Sequence, residues 1–85
     1  MISQTAEYAL RAVVFLASQQ GEPRVTSTIA ETTRVPAGYL SKVLQNLGRA
    51  GLVKSQRGLH GGFVLTNPPE RITVLEVINA VDPIQ

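Results

Sequence analysis

The 85-residue sequence has no cysteine and no tryptophan, and only one histidine. Without cysteine the chain cannot carry a disulfide scaffold, a thiolate zinc site, a cysteine nucleophile or a thiolate-held cluster of its own. A lone histidine leaves little for metal binding. No apolar run reaches the roughly 18 residues that span a bilayer, so no membrane partner is expected. Glu7 and Arg11 interrupt the apolar stretch near the N-terminus, which argues against a secretion signal there. A cytoplasmic location is the expectation. Charged residues are scarce at 16%, whereas hydrophobic residues make up 44%. Low hydrophobicity and high charge mark disordered chains, and this chain has neither.

Acidic residues are also absent in one place that matters. Between Glu31 and Glu70 lie 38 residues without an Asp or Glu, holding Arg34, Lys42, Arg49, Lys54 and Arg57, a net of +5. The remainder is net acidic, so the whole chain carries only +2. A basic centre between acidic ends suggests one face for a polyanion. The alternative is that these cations only keep the protein soluble.

Along the chain, Ser3 or Thr5 is placed to cap a first helix. Ala6, Ala9, Leu10, Val13, Val14 and Ala17 recur at helical spacing up to Gly21, a helix stop. More than one stripe of this helix is apolar, so burial on more than one side is expected. Arg24-Val25-Thr26 reads as a short edge strand. Ser27 or Thr28 then caps a brief second helix ending near Arg34, with Thr28 and Glu31 at the spacing of a capping box. Pro36 opens a third helix, since proline is tolerated in a first turn. Leu40, Val43, Leu44 and Leu47 form its core stripe, and Gly51 is its stop. Leu52–Gln56 and Phe63–Thr66 flank a glycine-rich turn and read as a β-hairpin. Asn67-Pro68-Pro69 is a turn. Thr73 with Glu76 predicts a second capping box, opening a helix with Leu75, Val77, Ile78 and Val81 that Asp82-Pro83 ends. The sequence therefore predicts one domain over residues 1–85, mainly α with a small β-hairpin. Two short helices joined by a tight turn, followed by a basic hairpin, make a winged helix-turn-helix.

The exposed face of the third helix is the candidate major-groove reader. Its first turns carry Pro36, Ala37, Gly38, Tyr39, Ser41, Lys42 and Gln45. Lysine can donate to guanine acceptors and glutamine can pair with adenine, while small Ala37 and Gly38 permit close approach. The plainer alternative is a solvated polar face. Tyr39 either meets a phosphate or packs on the second helix. The loop from Arg57 through Gly58, His60 and Gly61 is the candidate wing, with Arg57 suited to a narrow minor groove. An ordinary flexible hairpin tip is the alternative, and His60 there is a solvated group or a phosphate contact. Gly58-x-x-Gly61 also has the spacing of the RNA-clamping KH loop, but the flanking elements do not match that fold. Ser27 and Thr28 open a helix N-terminus, which suits phosphate as well as plain capping.

Several strings carry a family resemblance. They are Glu7-Tyr8-Ala9-Leu10-Arg11-Ala12, Ile29-Ala30-Glu31, and Tyr39-Leu40-Ser41-Lys42-Val43-Leu44 with Leu47. Ala50-Gly51-Leu52-Val53, Arg57-Gly58, Gly61-Gly62-Phe63 and Ile72-Thr73-Val74 complete the set. Together they resemble the Rrf2 family of bacterial winged-helix transcription regulators over essentially the whole chain. The resemblance implies a sequence-specific DNA-binding regulator, a repressor acting as a homodimer on a palindromic double-stranded operator. It implies that the Arg57-Gly58 pair contacts DNA. It also places Glu7 where redox-sensing members use an acidic residue to complete an iron–sulfur cluster of the partner subunit. The alternative for Glu7 is a first-turn acid favoured by the helix dipole. The cysteines that hold the cluster, and a long helix that pairs subunits, lie in the family beyond the point matching Gln85. No cofactor is thus expected within this chain, and a cluster only if that segment follows. Sensing of iron–sulfur, nitric oxide or redox status would lie there too. The alternative function is a winged helix used for protein contacts without DNA. An enzyme is not expected, because no nucleophile arrangement, phosphate loop or metal set is present.

Overall fold

A computed structural model describes residues 2–82. Helix α1 spans Gln4–Ser18, α2 Thr26–Thr33 and α3 Ala37–Arg49. Strands β1 (Val53–Gln56) and β2 (Gly62–Leu65) follow, then a 3-10 turn at Pro69–Arg71 and helix α4 (Val74–Val81). Apart from the short edge strand read at 24–26, this is the order expected from the sequence, and the architecture is a winged helix-turn-helix. Pro83, expected to help end α4, lies outside the described residues.

Helix α1 begins where Ser3 Oγ accepts from the Ala6 amide at 3.1 Å. It is the central element, touching α2, α3, α4 and β2. Ala6, Ala9, Ala12, Val13 and Leu16 are buried, and Tyr8, Leu10 and Phe15 pack at the margin of the core. The alanines let neighbouring helices approach its axis closely. Burial on several sides follows from this position, though Val14 remains 67% exposed. The helix stops before Gly21. Gln19 is its C-cap and Gln20 already turns left-handed, so glycine and glutamine share the reversal.

The start of α2 differs from expectation. Its N-cap is Val25, with no side-chain capping bond, and Ser27 and Thr28 sit inside the first turn. The capping box between Thr28 and Glu31 therefore does not form, because neither residue is in the register a box needs. The cause lies one residue upstream. The Arg24 amide donates to the Phe63 carbonyl at 3.1 Å, and the Phe63 amide donates back to Arg24 at 2.8 Å. This isolated bridge is all that remains of the edge strand expected at 24–26. It keeps the backbone extended up to Val25, and the helix launches directly after it.

Arg34, left-handed at φ 61°, closes α2. Buried Val35 anchors the turn, and Pro36 is the N-cap of α3 rather than a residue of its first turn. Leu40, Val43, Leu44 and Leu47 are at most 1% exposed, as their spacing predicts. At the far end the Leu52 amide donates to the Leu47 carbonyl and the Gly51 amide to that of Gly48, both at 3.0 Å. That pair of bonds is a Schellman motif, with Gly51 as the left-handed residue and Leu52 packed back onto the core. Strands β1 and β2 pair antiparallel, with Val53 opposite Leu65 and Gln56 opposite Gly62. Thr73 and Glu76 form the expected capping box, each side chain bonding the other's backbone amide at 3.0 Å.

Gly62 is where the wing meets the rest of the fold. A Cβ there would lie 2.5 Å from the Arg24 carbonyl carbon, and φ is +145°. Both facts bar a side chain. Gly62→Ala is therefore expected to cost about 1–3 kcal/mol through overpacking and backbone strain. Thermal unfolding followed by far-UV circular dichroism measures the loss, and an unchanged midpoint would show that the bridge does not need this close approach.

Candidate nucleic-acid interface

The turn between α2 and α3 leaves the first half of α3 with one face uncovered. Ala37, Gly38, Ser41, Lys42 and Gln45 are all exposed, whereas the opposite stripe is buried. Ser41 Oγ donates to the Ala37 carbonyl at 3.2 Å, which leaves its lone pairs free to accept. Gly38, Ser41, Lys42 and Gln45 line an open groove of about 770 Å³ together with Lys54, Ser55 and Phe63 of the hairpin. The structure thus joins the helix face and the hairpin into one concave surface.

The wing tip is a four-residue turn. The Gly61 amide donates to the Gly58 carbonyl at 3.0 Å, with Leu59 and His60 at the corners. Arg57, Gly58 and His60 are exposed. Gly61 is half-buried, and a Cβ on it would lie 2.2 Å from the Gln56 carbonyl oxygen. Its lack of a side chain serves closure of the wing itself, beside any part in binding DNA. His60 and Gly61 line a second, smaller crevice with Arg24, Val25 and Thr28. The uncapped first turn of α2, carrying Ser27 and Thr28, therefore stands beside the wing. No ion pair engages Lys42 or Arg57 among the described residues.

Tyr39 points elsewhere. Its hydroxyl is hydrogen-bonded to Thr5 Oγ1, and its ring meets Tyr8 edge-on at 5.1 Å. It packs on α1, and not on α2 as the sequence left open. Arg11 extends the same network, donating to Glu7 Oε2 at 2.7 Å and to the Thr33 carbonyl at 3.2 Å. Its guanidinium also lies 5.5 Å from the centre of the Tyr8 ring. One string of contacts therefore ties the first turns of α1 to the end of α2 and the start of α3. Sequence reasoning missed it. The Glu7–Arg11 spacing is a readable i,i+4 pair, but nothing in the sequence announces that Tyr8 meets Tyr39.

Glu7, the residue expected to reach a cluster, is exposed and held by Arg11. Among the described residues no three His, Asp or Glu side chains converge into a metal-holding group. Among them, too, no helix is long and apolar enough to cross a membrane.

The Thr5–Tyr39 hydroxyl pair is expected to contribute about 0.5–1 kcal/mol, the usual net worth of such a bond. A double-mutant cycle of Thr5→Val and Tyr39→Phe in urea denaturation measures it, and strictly additive losses would show that the hydroxyls act independently.

With this geometry in hand, comparison with known proteins is informative. The sequence profile of the Rrf2 family, described as an iron-dependent transcriptional regulator, matches residues 2–85. The chain is 38% identical over 82 residues to the HTH-type transcriptional regulator CymR of Bacillus subtilis, covering 95% of this chain and 59% of CymR. The solved structure of that protein, the global cysteine regulator of B. subtilis, superposes with a TM-score of 0.91 at 35% identity. That match covers 99% of this chain and 66% of the CymR chain. The structure of IscR from T. potens gives a TM-score of 0.90 at 33% identity, over 96% of this chain and 61% of that one. The chain spans about three fifths of the length of the relatives it matches. Sequence and backbone agree over all the described elements, and the chain belongs to the Rrf2 family of transcriptional regulators.

Proposed function

We propose that this chain is the operator-reading domain of a transcription regulator, binding double-stranded DNA with α3 in the major groove and the wing on the adjacent minor groove. The carrying observation is the single concave surface that unites Gly38, Ser41, Lys42 and Gln45 with the hairpin inside the acid-free part of the chain.

Each residue has a role that its position allows. Pro36, Ala37 and Gly38 present a slim helix start, so the α3 backbone can come close to the groove floor. Lys42 donates to guanine O6 and N7 or to a phosphate, Gln45 pairs with adenine, and Ser41 accepts from or donates to a base edge. Ser27 and Thr28 offer uncapped amides and hydroxyls to a phosphate. Arg57 enters the minor groove, whose potential is most negative where A·T tracts narrow it. Gly58 and His60 lie against the sugar–phosphate wall. Tyr39 sets the pitch of α3 through α1, with one edge still open to the backbone of the DNA.

A regulator of this shape acts as a homodimer on a palindromic operator, with half-sites about 34–36 Å apart. It represses by occupying the site. On this reading, sensing of iron–sulfur, nitric oxide or redox status belongs to the part of the relatives' length that this chain does not span. The resemblance to redox-sensing members supports Glu7 as a ligand to a cluster held by a partner subunit, a role for which its ion pair with Arg11 would have to open.

A salt series of anisotropy titrations with labelled random duplex tests the reading. Affinity is expected to fall steeply as salt rises. Lys42→Ala and Arg57→Ala are each expected to weaken binding and to reduce the steepness of log K against log salt, by about 0.9 for each phosphate whose neutralisation is lost. A flat salt response would instead favour a winged helix that docks on protein.

A further inference from the structure

Leu59 stands out among the hydrophobic residues of the surface. It is 95% exposed, against 67% for Val14, the next most exposed large aliphatic residue among those described. It occupies a corner of the turn closed by the Gly61 amide and the Gly58 carbonyl. Turn corners favour Pro, Asp, Asn, Ser or Gly for conformational reasons, and leucine supplies none of these. Nothing in the fold packs on it. The cost of leaving this side chain in water is therefore not repaid within the chain.

The surroundings specify what could repay it. Arg57 lies two residues before Leu59 and His60 directly after, and no acidic residue occurs anywhere from 32 to 69. In the fold, the acid Glu22 lines the same crevice as His60. An apolar protein partner would find this apolar contact flanked by the Arg57 cation, a polar imidazole and glycine. A partner with negative edges and apolar walls fits better, and the minor groove has that build. Its phosphates form the rims and its deoxyribose rings the walls, about 6 Å apart. The glycines flanking the turn keep the tip slim enough to enter, and leucine is among the side chains that proteins place in this groove.

We infer that Leu59 is an apolar minor-groove contact that packs on the sugar walls beside Arg57 and adds to affinity without adding counterion release. This rests on the DNA-binding reading above and goes beyond it by giving the wing a contact that is not electrostatic.

The two kinds of contact separate in a salt series. Leu59→Ser, Leu59→Met and Arg57→Ala are titrated against one labelled duplex with an A·T-rich centre, from low to moderate salt. Leu59→Ser is expected to bind about tenfold more weakly at every salt concentration, as for partial loss of one buried leucine. Its slope of log K against log salt stays that of the unsubstituted chain, while Arg57→Ala lowers that slope by about 0.9. Leu59→Met, apolar and of similar volume, retains most of the affinity. Because the side chain is exposed, circular dichroism of Leu59→Ser is expected to match the unsubstituted chain. Unchanged affinity of Leu59→Ser overturns the inference and leaves the DNA-binding reading standing. A slope lowered in Leu59→Ser as much as in Arg57→Ala also overturns it. No salt-dependent binding by the unsubstituted chain overturns the DNA-binding reading, and this inference with it.

Discussion

Two backbone hydrogen bonds between Arg24 and Phe63 hold the wing against the chain that enters α2. A two-stranded hairpin is marginal alone in water. This bridge gives it a third backbone partner, at the position where Gly62 must have no side chain. The same contact fixes where α2 starts, which displaces Ser27 and Thr28 from the cap into the first turn. It also seats His60 and Gly61 beside Thr28. The arrangement of the wing and the start of α2 thus follows from one small piece of sheet.

The elements were legible where local chemistry decides. The stripe of Leu40, Val43, Leu44 and Leu47 specifies α3 and its buried face. Thr73 and Glu76 specify the start of α4, since a capping box needs only residues three apart. Gly51 marks the end of α3 for a similar reason. The start of α2 differs from the reading because its cause is a bridge between Arg24 and Phe63, 39 residues apart in sequence. The end of α1 was placed late because Gln20 adopts a left-handed conformation that its side chain does not advertise.

The candidate site shows the same division. Helical spacing alone puts Gly38, Ser41, Lys42 and Gln45 on one face of α3, and the structure gathers them in one groove. The acid-free interval in the charge distribution contains every residue that lines this groove, although the net charge of +2 is unremarkable. What the sequence could not separate was the use of individual residues. Gly61 is constrained by the Gln56 carbonyl, and Tyr39 is drawn toward Tyr8 and Thr5. Both lie in strings that also carry the family resemblance, so a motif can be shared for reasons of packing as much as of recognition.

The Schellman end of α3 has a bearing on operator architecture. Only Ala50, Gly51 and Leu52 separate the last turn of α3 from β1, and Leu52 is buried. So short and anchored a connection leaves no slack between the helix and the strand. On the proposed DNA-binding reading, a reader in one groove and a tip in the next would behave as two prongs of one fork, with a spacing set by the protein. DNA has to match that spacing, because each added base pair turns the groove by about 35° and carries it away from a prong that cannot follow. On that reading, distance between the two contacts on the duplex would itself be part of what is read, even at positions where no side chain touches a base.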